Sequence, residues 1–395
     1  MEGNLLVAHG GGPTAVINSS LYGVITEAKK HAQIKGIYGA RYGIEGVLKE
    51  EFIDLGREPQ ENIDLLPYTP ASATGSCRRK LSDKDYPALL EIFKKYNIRY
   101  FFYNGGNDSM DTCNKVALLA GESGYDMKVV GIPKTIDNDL EFTDHCPGFG
   151  SAARYAAISA MELAKEVEAL PIHVIVLEIM GRNAGWLAAA TALAKTNTVA
   201  GPQLIYLPER PFNEEEFLED VRMWHSKTKG VLVVASEGLV DANGVSIADT
   251  GLVDGFGHKV PGGVAQALSD KIINRLGIKS RAEKPGLLGR ASIPMQSGID
   301  REEAIGAGAF AVKAAVEGKT GFMAAIRRTS SKPYSYEFEL VPLEKVANAE
   351  RKFPLEWINE RGNGIRKEFI DYCMPLIGAP LPKYAALSKI SVPKL

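Results

Sequence analysis

The stretch MKVVGIPKTIDND, residues 127–139, places a lysine and two carboxylates directly after a short apolar run. The apolar residues predict a buried strand, and Lys134, Asp137 and Asp139 follow where that strand ends. In an open parallel sheet the carboxyl ends of the strands face the ligand crevice, so these side chains are well placed for proton transfer or metal binding. A solvated turn is the competing interpretation, because Asp, Asn and Thr readily hydrogen-bond to their own backbone.

Three further segments repeat the order of strand, glycine-containing loop and helix. Their loops are GGGPT at 10–14, GGNDS at 105–109 and MGRNAG at 180–185. Backbone amides at a helix N-terminus attract anions, so such loops suit phosphate, although a glycine triplet is equally typical of a tight turn. None of the loops is a P-loop or GxGxxG, which argues against an NAD-dependent dehydrogenase. Three interpretations of Arg182 in the third loop are open. It binds phosphate or carboxylate, it is a surface arginine, or it pairs with Glu178.

Along the chain, strand-like runs alternate with helical ones, which favours mainly parallel sheets covered on both faces. Strands are expected at 4–9, 99–103, 128–132, 173–179, 231–235 and 337–341. Helices are expected at 15–32, 110–119, 151–167, 214–228, 262–276, 301–317 and 355–372. Because 395 residues exceed the usual range of a single core, two domains are expected.

Composition gives no reason to expect nucleic acid or an anionic membrane as a partner, since 46 basic residues nearly balance 48 acidic ones. No apolar run approaches the length of a spanning helix and no signal-peptide pattern opens the chain, so a cytoplasmic location is expected. The four cysteines lack CxxC spacing and predict reduced thiols rather than disulfides or a zinc site; they are Cys77, Cys113, Cys146 and Cys373.

Taken in order, these motifs resemble the phosphofructokinase family. The resemblance rests on the glycine pair followed by Asn18, the GGxxS loop, TIDND, MGRxxG and Ser236-Glu237-Gly238 after the strand at 231–235. It implies an α/β fold of two domains with mainly parallel sheets flanked by helices, and an active site in the cleft between them. By the same resemblance, residues 1–148 plus about 292–345 form a phosphoryl-donor domain, and residues 149–291 plus about 346–395 form a sugar-phosphate domain.

Two residues within the motifs indicate the phosphoryl donor. ATP-using members of the family carry glycine where this chain has Asp108 and again where it has Lys134. The resemblance implies that the Asp108 side chain obstructs the space for a nucleotide and that Lys134 reaches the remaining phosphate as a compact charge. The expected reaction is therefore reversible, Mg²⁺-dependent transfer from pyrophosphate to the 1-hydroxyl of fructose 6-phosphate, a step of glycolysis or gluconeogenesis.

The resemblance also implies roles for individual residues. Asp137 is the expected general base, supported by Thr135 and Asp139, while Lys134 and Arg182 stabilise phosphoryl charge. The expected donor-binding residues are Gly11, Gly12, Tyr42, Arg78, Gly106, Asn107, Asp108, Ser109 and Lys134. The expected sugar-binding residues are Thr135, Asp137, His173, Met180, Gly181, Arg182, Glu237, Lys284 and Arg290. Mg²⁺ is expected at Asp108 and Asn107.

Several positions depart from the family pattern. Asn107 stands in place of a metal-binding aspartate, and an amide oxygen is a weaker Mg²⁺ ligand than a carboxylate. His173 stands where many members place an arginine that reaches the sugar 6-phosphate of a neighbouring subunit; a packed strand histidine is the alternative. Tyr42 falls at a family aromatic near the donor, and a packing role explains it equally well.

Three alternatives stay open at this stage: an ATP-dependent enzyme that tolerates Asp108, a non-catalytic sugar-phosphate-binding homologue, and activity on other ketose phosphates such as sedoheptulose 7-phosphate. The family generally associates, so a homodimer or homotetramer is expected. No nucleic acid or membrane partner is expected.

Overall fold

The computed structural model describes residues 1–253, 259–261, 263–347, 349–388 and 390–393. The strands are β1 Gly3–His9, β2 Ile34–Ala40, β3 Phe52–Asp54, β4 Ile98–Gly105, β5 Lys128–Pro133, β6 Val174–Ile179, β7 Leu204–Tyr206, β8 Val231–Ser236, β9 Asp249–Val253, β10 Lys259–Pro261, β11 Ser280–Glu283, β12 Phe322–Ser331 and β13 Tyr334–Pro342. The α-helices are α1 Ile17–Ala28, α2 Ile44–Leu48, α3 Gln60–Leu65, α4 Asp85–Lys95, α5 Asn107–Glu122, α6 Phe149–Ala169, α7 Trp186–Ala190, α8 Glu214–Thr228, α9 Val264–Leu276, α10 Leu288–Ala291, α11 Gly298–Val316, α12 Leu343–Val346 and α13 Lys367–Cys373.

The chain divides into two compact units. The first comprises Met1–Tyr155, Gly286–Pro354 and Asp371–Gly378, and the second comprises Ala156–Pro285, Leu355–Ile370 and Ala379–Leu395. The segment Asp371–Gly378, which the sequence placed with the second domain, thus belongs to the first unit. Its Tyr372 explains this, because the hydroxyl donates to the carbonyl oxygen of Asp144 and accepts from the side chain of Asn138.

A seven-stranded sheet runs through the first unit in the order β13-β12-β5-β4-β1-β2-β3. The pairs from β2 across to β12 are parallel, whereas β3 and β13 pair antiparallel at the two edges. The carboxyl ends of β1, β4 and β5 therefore lie side by side. The loops GGGPT, GGNDS and KTIDND all begin at these ends, which brings together three motifs that are far apart in the sequence.

Both faces of this sheet are buried. Along β1, Leu6 and Ala8 pack into one core with helices α4 and α5, while Leu5 and Val7 pack into a second core with α1 and α11. Alternate residues of a strand point to opposite faces, so an uninterrupted apolar strand requires a helical layer on each side. The predicted α/β class with mainly parallel sheets flanked by helices is confirmed.

A four-stranded parallel sheet in the order β11-β6-β8-β7 forms the centre of the second unit. Strands β6 and β8 are neighbours, and MGRNAG and Ser236-Glu237-Gly238 follow at their carboxyl ends. A separate two-stranded antiparallel pair joins β9 and β10.

The prediction of a long helix at 355–372 is wrong. The structure has a short 3₁₀ turn at Leu355–Trp357, an antiparallel bridge between Ile358 and Ile365, and then the seven-residue helix α13. Gly362 adopts a positive φ of 77°, and the Asn359 side chain bonds to Asn363, so the chain reverses direction where a helix would continue straight.

The helix predicted at 214–228 is confirmed as α8, Glu214–Thr228. The predicted first residue of α9, Gly262, lies outside the described residues. All four cysteines are free, as expected. In the described part of the chain, no helix has the length and apolar character needed to cross a bilayer.

Candidate functional site

The first glycine loop lies against the segment that carries Arg78. The backbone N–H of Gly11 donates to the carbonyl oxygen of Cys77 at 2.9 Å, and the Ser76 hydroxyl donates to the Gly11 carbonyl at 2.7 Å. Gly11 has a φ of 76°, a conformation that a glycine adopts without steric cost. The loop is therefore held by hydrogen bonds to Ser76 and Cys77. The next residue, Gly12, lies next to a group of cationic side chains.

Lys134 lies beneath this loop. Its ammonium donates to the carbonyl oxygen of Gly12 at 2.7 Å, and the residue is only 3% exposed. Burial lowers the pKa of Lys134 to about 8, with Arg290 and Arg78 acting in the same direction and the nearby Asp137 carboxylate opposing them. The buried ammonium therefore points toward the loop, and an anion bound there would stabilise its charged form.

Two arginines approach the same point. A β-carbon placed on Gly12 would lie 2.6 Å from a terminal nitrogen of Arg290 and 3.6 Å from one of Arg78. Partial burial, reinforced by the positive charge of Arg78, lowers the pKa of Arg290. Three cations therefore converge on Gly12, and such a concentration of positive charge favours a polyanion.

The carboxylates of TIDND lie next to Lys134 in the chain. The backbone N–H of Asp137 donates to the Thr135 hydroxyl at 3.1 Å, and Asn138 between the two acids adopts a φ of 53°. Burial raises the pKa of Asp139, whose carboxylate accepts from the Asn107 amide at 3.2 Å. Asp137 thus follows a hydroxyl-stabilised turn at the end of β5, as the sequence predicts.

A candidate metal position follows from two oxygens in this region. Oδ1 of Asn107 and Oδ1 of Asp139 are both buried, and neither has a hydrogen-bond partner within the described residues. Carboxylate and amide oxygens suit Mg²⁺, which usually takes one or two protein ligands and completes its shell with water and phosphate oxygens. Within the same residues, no cluster of three or more His, Cys, Asp or Glu side chains forms a larger metal site.

Helix α5 begins at Asn107, earlier than the sequence predicted, so that Asn107, Asp108 and Ser109 form its first turn. The Asp108 carboxylate is 74% exposed and pairs with Lys80 at 3.1 Å. Ser109 is buried between glycines, since β-carbons on Gly10 and Gly105 would approach its hydroxyl oxygen to 2.2 and 2.1 Å. Gly106 has no atom within 3.5 Å of such a position and leaves its side of the loop open.

Tyr42 lies in a strained and exposed position. It adopts a φ of 58°, its backbone N–H donates to the carbonyl oxygen of Thr74, and the Arg41 guanidinium lies 5.4 Å from the centre of its ring. A bulky residue in the left-handed region costs about 1–3 kcal/mol and is common at functional sites. The ring is half exposed and also lies against Gly75, so both interpretations of Tyr42 stay open.

In the second unit, the loops after β6 and β8 interlock. The backbone N–H of Gly181 contacts Oε1 of Glu237 at 3.4 Å, and the Ser236 hydroxyl donates to the Gly181 carbonyl oxygen. A β-carbon on Gly238 would lie 1.8 Å from the carbonyl oxygen of Arg182. The structure therefore brings Met180-Gly181-Arg182 and Glu237 together, with the Arg182 side chain exposed.

Glu178, the proposed partner of Arg182, is paired elsewhere. It is buried on β6, where one carboxylate oxygen pairs with Lys284 and the other accepts from the backbone N–H of Ala265 at 3.0 Å. The alternative in which Arg182 pairs with Glu178 is wrong, because both oxygens of Glu178 already have closer donors. Lys284 has a partner within its own unit.

His173 precedes β6 and thus lies at the opposite end of that strand from Met180. It is 2% exposed, and neither ring nitrogen has a hydrogen-bond partner among the described residues. Burial, with the positive charges of Arg281 and Lys279, lowers the pKa of His173. Within this chain His173 matches the packed strand histidine, and its role toward a neighbouring subunit stays a prediction.

Comparison with known proteins places these features in a family. The family model described as Phosphofructokinase matches residues 4–315, which include every motif described above. The chain belongs to the phosphofructokinase family. The match ends before β12, so the phosphofructokinase pattern itself makes no statement about residues 316–395.

Related proteins match this chain over most or all of its length. A pyrophosphate–fructose 6-phosphate 1-phosphotransferase of Xanthomonas campestris pv. campestris (strain B100) is 44% identical over 411 residues, covering 100% of this chain and 98% of the relative. The crystal structure of the pyrophosphate-dependent phosphofructokinase from Marinobacter aquaeolei has a TM-score of 0.88 and 41% identity, covering 99% of this chain and 98% of that chain. A sulfofructose kinase of Alkalicoccus urumqiensis is 36% identical over 358 residues, covering 90% of this chain and 92% of the relative.

The phosphofructokinase motifs did not predict where Arg290 lies. The sequence placed it with the sugar phosphate, whereas its guanidinium lies beside Gly12 of the donor loop. Nor did they indicate Arg351 and Tyr372, which hydrogen-bond to the TIDND loop from outside the matched residues. No local pattern could have identified these side chains, because their contacts depend on tertiary structure.

Proposed function

We propose that this phosphofructokinase transfers a phosphoryl group reversibly from pyrophosphate to the 1-hydroxyl of fructose 6-phosphate, giving fructose 1,6-bisphosphate and phosphate. The observation that carries the proposal is the buried Lys134 ammonium, which bonds to Gly12 where ATP-using members have glycine in place of the lysine. The names of the relatives at 39–44% identity over at least 96% of the chain support the same donor and acceptor.

The donor end rests on the three cations around Gly12. Pyrophosphate lacks the adenosine contacts of ATP, so most of its binding free energy must come from charge neutralisation and hydrogen bonds. Lys134, Arg78 and Arg290 supply that charge, and the amides of Gly12 and Gly106 supply backbone donors, whereas the Gly11 N–H already donates to Cys77. We assign Asp108 and Tyr42 to the rim of this site, consistent with the exposure of both side chains.

The chemistry needs alignment of a hydroxyl with phosphorus and removal of its proton. In our proposal Asp137 accepts that proton, and the Thr135 hydroxyl stabilises the turn that carries it. Lys134 adjoins both Asp137 and the loop, so it is suited to stabilise the charge on the oxygens that transfer.

Asn107 and Asp139 are the residues that we propose to hold Mg²⁺, since each has a buried oxygen without a protein partner among the described residues. Mg²⁺ bound there would neutralise negative charge on the phosphate oxygens. Asp108, the other predicted ligand, is more exposed and already paired with Lys80.

For the sugar we propose Met180, Gly181, Arg182 and Glu237, because their two loops interlock and keep the Arg182 side chain exposed. His173 and Lys284 remain predicted contacts for the 6-phosphate. The cytoplasmic location and the homodimer or homotetramer also stay predictions.

A donor-by-acceptor assay tests the proposal. Purified protein with Mg²⁺ receives pyrophosphate or ATP as sole donor, and fructose 6-phosphate or sulfofructose as sole acceptor. The second acceptor is included because a sulfofructose kinase is 36% identical to this chain. We expect turnover with pyrophosphate and fructose 6-phosphate. Preference for ATP or for sulfofructose would overturn the donor or the acceptor assignment, and binding without turnover in any pair would favour the non-catalytic homologue.

The base is tested by Asp137→Asn, which keeps the size of the side chain but removes the proton acceptor. Turnover should fall about 10²- to 10⁴-fold while sugar-phosphate affinity is retained. Asp126→Asn is the matched control, since Asp126 lies in the same unit, before β5 and so at the opposite end of that strand from the loop, and pairs with Lys128. Equal turnover of Asp137→Asn and wild type would remove Asp137 from the role.

A further inference from the structure

The TIDND loop is held from outside the family motifs by two side chains. Arg351 and Tyr372 both lie beyond residue 315, where the family match ends. Both belong to the first unit, together with Asn138, the residue between the two acids of the loop. Their contacts converge on Asn138 and on the backbone that follows it, at Asp139, Thr143 and Asp144.

Asn138 is fully buried in the left-handed conformation, with a φ of 53°. Its side-chain oxygen accepts from the backbone N–H of Cys146 at 2.9 Å, and its amide donates to the Tyr372 hydroxyl at 3.0 Å. A non-glycine residue persists in this region of the Ramachandran plot only where its surroundings fix it. These two bonds therefore set the backbone direction from which Asp137 and Asp139 project.

The Tyr372 hydroxyl uses its full hydrogen-bonding capacity. It accepts from Asn138 and from a guanidinium nitrogen of Arg351 at 3.2 Å, and it donates to the carbonyl oxygen of Asp144 at 2.7 Å. The ring lies under Arg328, whose guanidinium carbon is 4.7 Å from its centre. The hydroxyl thus links Asn138 to Arg351 and to the end of the loop.

Arg351 binds the loop and the residues that follow it through both its backbone and its side chain. Its backbone N–H donates to the carbonyl oxygen of Asp139 at 2.8 Å, and one guanidinium nitrogen donates to the carbonyls of Thr143 and Asp144 at 2.6 and 2.7 Å. A rigid donor fork that satisfies buried carbonyls restricts the motion of the backbone that carries them.

We infer that Tyr372 and Arg351 are positioning residues that keep Asp137 and Asp139 in their productive orientation. The inference rests on the proposed function for the role of the two acids, although the contacts themselves do not. Displacement of a reacting group by about 1 Å can reduce turnover on the order of 10²-fold. Loss of the Tyr372 hydroxyl should therefore act on kcat rather than on KM.

Tyr372→Phe is the decisive variant, because it removes one oxygen and keeps the ring under Arg328. We expect kcat to fall about 10- to 100-fold, with KM for each substrate within about twofold of wild type. Tyr125→Phe is the matched control: the Tyr125 hydroxyl donates to the carbonyls of Phe93 and Ile98 in the same unit, and none of these residues belongs to the TIDND loop. Its kcat should stay at the wild-type value.

A readout that needs no substrate separates this inference from the proposed function. Hydrogen exchange of peptides spanning residues 133–146 should accelerate in Tyr372→Phe and not in Tyr125→Phe. Arg351→Lys, which keeps the charge but loses the fork, should accelerate exchange in the same peptides and serves if Tyr372→Phe does not fold. Unchanged exchange in these peptides, or equal loss of kcat in the two tyrosine variants, would overturn the inference.

Discussion

The ammonium of Lys134 donates a hydrogen bond to the carbonyl oxygen of Gly12 across 2.7 Å, joining the end of β5 to the loop after β1. The two residues are far apart in sequence, and the adjacent positions of β1, β4 and β5 in the sheet bring them together. The charge of Lys134 therefore lies at the loop that we assign to pyrophosphate, and it titrates within an accessible pH range.

Pyrophosphate affinity should fall as the pH rises through about 8. The pKa of Lys134 is lowered to about 8, so the ammonium is charged below that pH and neutral above it. Loss of a charge-assisted hydrogen bond costs about 1.5–3 kcal/mol, or roughly a 10- to 100-fold increase in Kd. Titration calorimetry at pH 7 and pH 9.5 measures the change. Pyrophosphate itself titrates, so Lys134→Met is the control, and an equal pH dependence in that variant would contradict the prediction.

Asp108→Gly should relax the discrimination against ATP. The Asp108 carboxylate is exposed at the first turn of α5, where it occupies space that a glycine would leave open. We expect kcat/KM with ATP to rise on the order of tenfold, and the double change with Lys134→Gly to lose pyrophosphate use. The ratio of kcat/KM for the two donors measures the effect.

Lys80→Ala provides the control for Asp108→Gly, since it breaks the same ion pair and leaves the carboxylate in place. It should leave the donor ratio near the wild-type value. A similar gain of ATP use in Lys80→Ala would attribute the discrimination to the ion pair rather than to the size of the side chain.

The sequence predicted the fold class and the parallel strands because long apolar strands and glycine loops are local signals. It predicted most of β13 but missed β2, β3 and β12 of the same sheet, and it wrongly extended a helix over 355–372. The candidate site shows the same difference between local signals and tertiary contacts. Lys134, Asp137 and the glycine loops were predicted from motifs, whereas Glu178 pairing with Lys284, and Tyr372 with Asn138, depend on side chains brought together by the tertiary structure.

Lys284→Ala should reduce stability more than sugar-phosphate affinity. Its ammonium pairs with the buried Glu178, which without it would retain, among the described residues, the backbone N–H of Ala265 as a donor. Breaking a fully buried pair costs about 3–5 kcal/mol, and the half-exposed lysine reduces the expected loss to about 1–2 kcal/mol. Urea unfolding measures this loss. A large rise in KM for the sugar phosphate with unchanged stability would instead support the predicted substrate contact.

A pH-dependent contribution to stability should come from His145. Its imidazole is buried between the carboxylates of Asp144, at 2.8 Å, and Glu303, at 2.6 Å. Arg328 pairs with Asp144, and the Tyr334 hydroxyl donates to Glu303. Burial lowers the pKa of His145, but the two carboxylates outweigh it and raise the pKa to about 9.

Since the folded-state pKa of His145 is above its unfolded value of 6.5, its contribution to stability is complete below pH 6.5 and is lost as the pH rises through about 9. We expect the free energy of unfolding to fall between pH 6.5 and 9.5 by on the order of 1–3 kcal/mol more in wild type than in His145→Gln. Subtracting the variant removes the opposite trend from Lys134, whose lowered pKa makes stability rise with pH above 8. Urea unfolding curves across this range give the difference, and parallel pH profiles for the two proteins would show that His145 is not held as an imidazolium.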